Sequence, residues 1–143
     1  MNLVVVVDDE EFNRKMVSRI LGKHDFMVTA LESGVELLDY IIEKKNKPDL
    51  ILLDIVMPEP DGFETLKRLR EATADSDKIP VIFLTGEGSD ETEMKGLKLG
   101  AEDFIRKPIY PDVLMHRVGR IIELERTHRS MASEIESDRK SVV

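Results

Sequence analysis

Short apolar runs, each followed by a segment of helical period, constrain this chain more than any other feature. "LVVVV" (Leu3 to Val7), "LILLDIV" (Leu50 to Val56), "VIFLT" (Val81 to Thr85) and "DFIRK" (Asp103 to Lys107) have the length and character of buried strands, with a weaker fifth in "FMVTAL" (Phe26 to Leu31). Between them Phe12, Met16, Val17, Ile20 and Leu21 form one helical stripe that Gly22 ends, and Val35, Leu38, Ile41 and Ile42 repeat it before Pro48. Phe63 to Arg70, Asp90 to Leu99 with Gly100 as C-cap, and Asp112 onward complete the set. Strands apolar throughout are covered on both faces, so five of them alternating with five helices predict an α/β domain with a doubly wound, mainly parallel sheet. A chain of 143 residues has room for one such core.

In an open parallel sheet, function gathers beyond the carboxyl ends of the strands. The first run ends in Asp8 and Asp9, the third in Asp54, the fourth in Thr85 and the fifth in Lys107 with Pro108 after it. In the order 2-1-3-4-5 these four strands are consecutive neighbours, and their last side chains meet on one rim. Three carboxylates there are costly, since two unit charges about 5 Å apart at an effective dielectric of about 20 repel by roughly 3 kcal/mol. An acid interrupting the buried run around Asp54 must be paired or functional. A hard divalent cation relieves the cluster: Mg2+ takes oxygen ligands and is held by one or two carboxylates plus a phosphate. With the Lys107 ammonium and the Thr85 hydroxyl, the set forms an electrostatic clamp for a phosphoryl group, in which a carboxylate can itself be the nucleophile. Glu10 and Glu11 read instead as first-turn acids favoured by a helix dipole.

The motifs "VDDE", "LLDIVMPEPDG", "FLTG" and "GAEDFIRKPI", each at the end of its strand, are individually weak and jointly specific. Through them the chain, from Leu3 to about Ile122, resembles the response regulator receiver domain of bacterial two-component signal transduction, in the CheY-like superfamily. The resemblance implies a flavodoxin-like (βα)5 fold with strand order 2-1-3-4-5. It also implies that Asp54 accepts a phosphoryl group from the phosphohistidine of a sensor histidine kinase or phosphotransfer protein. By the same resemblance Asp9 is a direct Mg2+ ligand, Asp8 reaches the metal through water, and Val56 contributes its backbone carbonyl. Thr85 and Lys107 would contact phosphoryl oxygens, and Phe104 occupies the aromatic switch position, turning inward as Thr85 is drawn to the phosphate. The Lys107-Pro108 peptide is expected to be cis, which costs an X-Pro bond only about 0.5 to 1 kcal/mol. Met57-Pro58 and Gly62 are expected to form the turn beside Asp54. The resemblance also ties phosphoryl lifetime to Val56 and Glu87. Such a domain is a signalling switch, catalysing only its own phosphorylation and slow loss of the phosphate.

Two other readings fit less well. A Mg2+-dependent phosphohydrolase commonly places its nucleophile at the end of the first strand with another Asp two positions on, whereas Asp8 and Asp9 are adjacent and position 10 is Glu. A mononucleotide binder would need the loop after the first strand to cradle phosphate, and "DDEE" repels one. "GEG" at Gly86 to Gly88 lacks the Walker spacing and lysine, so a flexible loop is expected there. His24, His116 and His128 show no ligand spacing and are expected on the surface.

The balance of 21 basic against 29 acidic residues, a net charge of −8, argues against direct contact with nucleic acid or anionic membranes. No cysteine is present for a disulfide or a zinc-thiolate site. No apolar run approaches the roughly 20 residues of a membrane span, and Met1 leads straight into a strand, so the cytoplasm is the expected location. Past Ile121 strand signals stop, and Ile121, Leu124, Met131, Ile135 and Val142 approximate a heptad spacing that His128 and Asp138 interrupt. The division expected is a receiver domain over 1–121 and a helical extension over 122–143. The extension is a solvated terminal helix, or a coiled coil that forms a homodimer or leads to an output domain beyond Val143.

Overall fold

A computed structural model describes the backbone of residues 2–74, 77–86 and 89–142 and the side chains as far as His128. Glu87, Gly88 and the heptad positions Met131, Ile135, Asp138 and Val142, all singled out in the sequence, therefore lie outside the described residues or side chains. Strands β1 (Leu3–Val7), β2 (Met27–Leu31), β3 (Leu50–Asp54), β4 (Val81–Thr85) and β5 (Asp103–Arg106) alternate with helices α1 (Glu11–Gly22), α2 (Gly34–Leu38), α3 (Gly62–Ala72), α4 (Asp90–Lys98) and α5 (Pro111–Val142). The strands form one parallel sheet in the order β2-β1-β3-β4-β5.

Because side chains alternate across a strand, each apolar run feeds two cores. Val4, Val6, Leu50, Leu52, Ile82, Leu84 and Ile105 pack with α1 and α5 through Val17, Leu21, Leu114, Val118 and Ile121. Val5, Val7, Ile51, Leu53, Val81, Phe83 and Phe104 pack on the other face with Leu37, Leu66 and Leu69. The sheet is thus covered on both sides, which is why its strands read as continuous apolar sequence.

Some boundaries differ from the sequence reading. Strand β3 stops at Asp54 and not at Val56, because pairing with β4 ends at Asp54 opposite Leu84; Ile55 is still buried, but Val56 is 67% exposed. Strand β2 starts at Met27, and β5 ends at Arg106. Helix α2 passes into a π-helical turn over Asp39–Glu43. Helix α4 closes at Lys98 with Leu99 as its cap, and Gly100 follows at φ 96°, a left-handed conformation that favours glycine. Helix α5 begins at Pro111, where a missing N–H is harmless. It is packed as far as Ile122, whereas Leu124 is already 53% exposed.

Candidate functional site

Parallel pairing sets Val7 beside Leu53, Asp54 beside Leu84 and Thr85 beside Arg106, so the residues that follow or end these strands share one edge of the sheet. Asp8, Asp54 and Thr85 are buried there, while the neighbouring Asp9 is exposed. Asp8, Asp9 and Asp54 each bring a carboxylate oxygen within 4.8 Å of the others. The Lys107 ammonium stands 3.2 Å from Asp8 Oδ2 and 3.1 Å from Asp54 Oδ2. The Lys107 N–H donates to the Thr85 carbonyl at 2.7 Å, tying the strand end that carries the lysine to the one that carries the threonine.

One ammonium faces three carboxylates, and the consequences appear in their ionisation. Burial, and then the Asp8 charge, push the Asp54 carboxyl from 3.8 up to about 6, with Lys107 pulling the other way. For Lys107, burial favours the neutral amine, but the charges of Asp54 and Asp8 and their hydrogen bonds outweigh it and hold the ammonium above its ordinary range. The inner oxygen of Asp8, Oδ2, is buried, and its partner is the ammonium of Lys107, which it shares with Asp54. Hard oxygen donors in close array, with fewer positive than negative charges beside them, fit a hard divalent cation such as Mg2+.

The walls follow from local sequence. Asp8 Oδ1 accepts the Glu10 N–H at 2.9 Å, which turns the chain from β1 into α1. Glu10 occupies the N-cap position without a side-chain capping bond, and Glu11 pairs with Lys15 at 2.9 Å, so neither acid joins the site. At the start of α3, Asp61 Oδ1 caps the Glu64 N–H at 2.9 Å. The Gly62 N–H bonds the Ile55 carbonyl at 2.9 Å, and a Cβ on Gly62 would lie 2.3 Å from the Asp54 carbonyl oxygen, so only glycine lets α3 start this close to the acid. The Lys107-Pro108 peptide is cis; so is Glu59-Pro60, in the loop leading to α3, which the sequence did not single out.

Phe104 lies behind the rim, 8% exposed, its ring centroid 5.8 Å from that of Phe83, which in turn meets Phe63 edge-on at 5.3 Å. Gly96 of α4 leaves the space this ring occupies, since a Cβ there would come within 2.5 Å of Phe104 Cζ. The Val56 side chain is exposed and lies outside the carboxylate cluster. The three histidines are on the surface. A residue the sequence reading missed is Arg14, whose Nη1 donates to the Asp8 carbonyl at 2.8 Å.

Residues 4–119 match the family described as response regulator receiver domain. The chain is 35% identical over 130 residues to the transcriptional regulatory protein CpxR of Escherichia coli, a match spanning 91% of this chain and 52% of that protein. It is also 35% identical over 119 residues to the two-component response regulator ORR3 of Oryza sativa, covering 83% of this chain and 89% of that one. Among solved structures, the chemotaxis protein CheY4 of Vibrio cholerae superposes with a TM-score of 0.77 at 32% identity, covering 85% of this chain and 98% of that one. The chain thus spans about half the length of CpxR and nearly all of the two shorter relatives.

Proposed function

Since the chain belongs to the response regulator receiver domain family of two-component systems, we propose that it is a phosphorylation-controlled switch in which Asp54 accepts a phosphoryl group from the phosphohistidine of a sensor kinase or phosphotransfer protein. The observation that carries this reading is a buried carboxylate at a strand end, 3.1 Å from a lysine ammonium and within 4.8 Å of two further acids. In the transfer an Asp54 oxygen forms a bond to phosphorus as the bond from phosphorus to the histidine nitrogen breaks, and that nitrogen keeps the electron pair and takes up a proton. Only the ionised carboxylate is a nucleophile; its pKa of about 6 belongs to the metal-free chain, and a divalent cation beside it would favour the ionised form.

Lys107 would pair with a phosphoryl oxygen, exchanging part of its contact with Asp8 and Asp54 for the new charge, a role its present ion pairs support. Thr85, on the adjacent strand end, would donate its hydroxyl to another. Mg2+ would be held by Asp8, Asp9, Asp54 and the Val56 carbonyl, and when bound it supplies charge neutralisation of the carboxylates and phosphoryl oxygens. Drawing Thr85 toward the phosphoryl group would shift the packing of Phe104 behind it and so change the surface of α4 and β5. We further assign 1–121 as the receiver and 122–143 as an extension of α5 that links it to a second copy or to an output domain, as fits the chain's matching half of CpxR. No helix among the described residues is long and apolar enough to cross a membrane, and a cytoplasmic site of action is proposed with the family.

The test is incubation with Mg2+ and acetyl phosphate, followed by intact-mass measurement. One phosphoryl group is expected on the wild type and none on Asp54→Asn. Labelling that persists in Asp54→Asn, or none in either protein with beryllofluoride also failing to bind, would refute it.

A further inference from the structure

Arg14 lies in the first turn of α1, an unusual place for a cation because the positive end of the helix dipole is there. Its side chain is only 14% exposed. Nη1 donates to the main-chain oxygen of Asp8 at 2.8 Å, while Nη2 stands 3.6 Å from Glu32, which is itself 68% exposed. An exposed partner at that separation holds an arginine weakly, so the short bond to Asp8 is what fixes the guanidinium. The Asp8 carbonyl lies one residue beyond the last β1 residue in the sheet, past the reach of the strand ladders, which end at Val7 opposite Leu31 and Leu53. The rest of residue Asp8 is already restrained: its N–H donates to the Leu31 carbonyl at 3.1 Å, and Oδ1 accepts from the Glu10 N–H.

We propose that Arg14 is a positioning residue for cation binding at the acidic site: by holding the Asp8 carbonyl it sets the direction in which Asp8 and Asp9 present their carboxylates. This rests on the reading of Asp8, Asp9 and Asp54 as a divalent-metal site. The sign of the effect separates positioning from charge. A second fixed cation beside the site repels a divalent ion, so if Arg14 acted by charge alone its removal would tighten binding. If it positions the acids, removal loosens binding.

The experiment is calorimetric titration of the whole chain with Mg2+ alone, on wild type, Arg14→Met, Arg14→Lys and Glu32→Gln, with urea unfolding of each. Arg14→Met is expected to weaken Mg2+ binding about five- to tenfold, the order of one ordinary net hydrogen bond. Arg14→Lys, which keeps the charge but not the forked donor, falls between it and the wild type, and Glu32→Gln binds as the wild type does. Mg2+ affinity that is unchanged or tighter in Arg14→Met, even with a lowered urea midpoint, overturns the assignment; should that variant fail to fold, Arg14→Lys decides in the same sense. Absence of saturable Mg2+ binding in the wild type overturns the metal site itself and this assignment with it, an outcome distinct from binding that the variants leave untouched.

Discussion

Replacing Asp54 by Asn should stabilise the folded chain at neutral pH, although it removes the residue on which the proposed function depends. The Asp54 carboxyl is raised from 3.8 to about 6 by burial and by Asp8, against the pull of Lys107. A raised carboxyl pKa means that the native state binds the proton more tightly than the unfolded chain does. Between about pH 4 and pH 6 stability therefore falls as pH rises, and above that range the full cost of the ionised group is felt. A shift of about two units is worth at most about 3 kcal/mol. The rim is open on the side of the exposed Asp9, so solvent screening reduces the expected effect to about 1–2 kcal/mol. Asparagine has the shape of the protonated acid, still offers Lys107 an acceptor, and leaves Asp8 as its ion-pair partner.

Urea unfolding of the wild type and Asp54→Asn from pH 4.5 to pH 8 provides the assay. The variant should gain about 1–2 kcal/mol over the wild type at pH 7.5, with the gap shrinking toward pH 4.5 as the wild-type carboxyl takes up its proton. Adding Mg2+ should narrow the gap at pH 7.5, because a ligand that binds only the folded state stabilises it by mass action and the wild type has the more complete donor set. Equal stabilities at pH 7.5, a less stable variant, or a gap independent of pH would refute the idea that Asp54 is strained by its own charge.

Other consequences are measurable. In the absence of Mg2+, the Asp54 carboxyl carbon should titrate near pH 6 in its NMR shift, and a midpoint at or below pH 4 would contradict this. Asp9→Asn should abolish saturable Mg2+ binding while changing the urea midpoint little, because Asp9 is exposed. Gly96→Ala should cost about 1–3 kcal/mol and displace the Phe104 ring, visible in its aromatic NMR signals, as expected for overpacking. Gly119→Ala in α5, with open space around its Cα, should instead gain about 0.5–1 kcal/mol.

Most of the fold was legible because a sheet covered on both faces writes itself as unbroken apolar runs, and strands Leu3–Val7 and Val81–Thr85 have the limits their sequences suggest. Where the reading overran, burial outlasted the register: Ile55 is buried and its N–H still reaches the Leu84 carbonyl, yet the register of β3 with β4 ends at Asp54, so an apolar run cannot reveal where its ladder stops. The acids at the rim were legible for a related reason, since a charge at the end of an apolar strand has no cheap structural explanation. Which of the two adjacent acids is buried was not. Asp8 and Asp9 are adjacent and chemically identical, but one is fully buried against Lys107 and the other is exposed, a difference set by the turn that Glu10 closes onto Asp8. The contact of Arg14 with Asp8 was hidden for a different reason: it is made to a main-chain oxygen, which every residue possesses, so no spacing of side-chain types announces it. The site therefore combines two kinds of information. Residue identity supplies the charges, while the backbone path past Val7 decides which carboxylate is buried with Lys107 and which faces solvent, and it is this path that Arg14 holds.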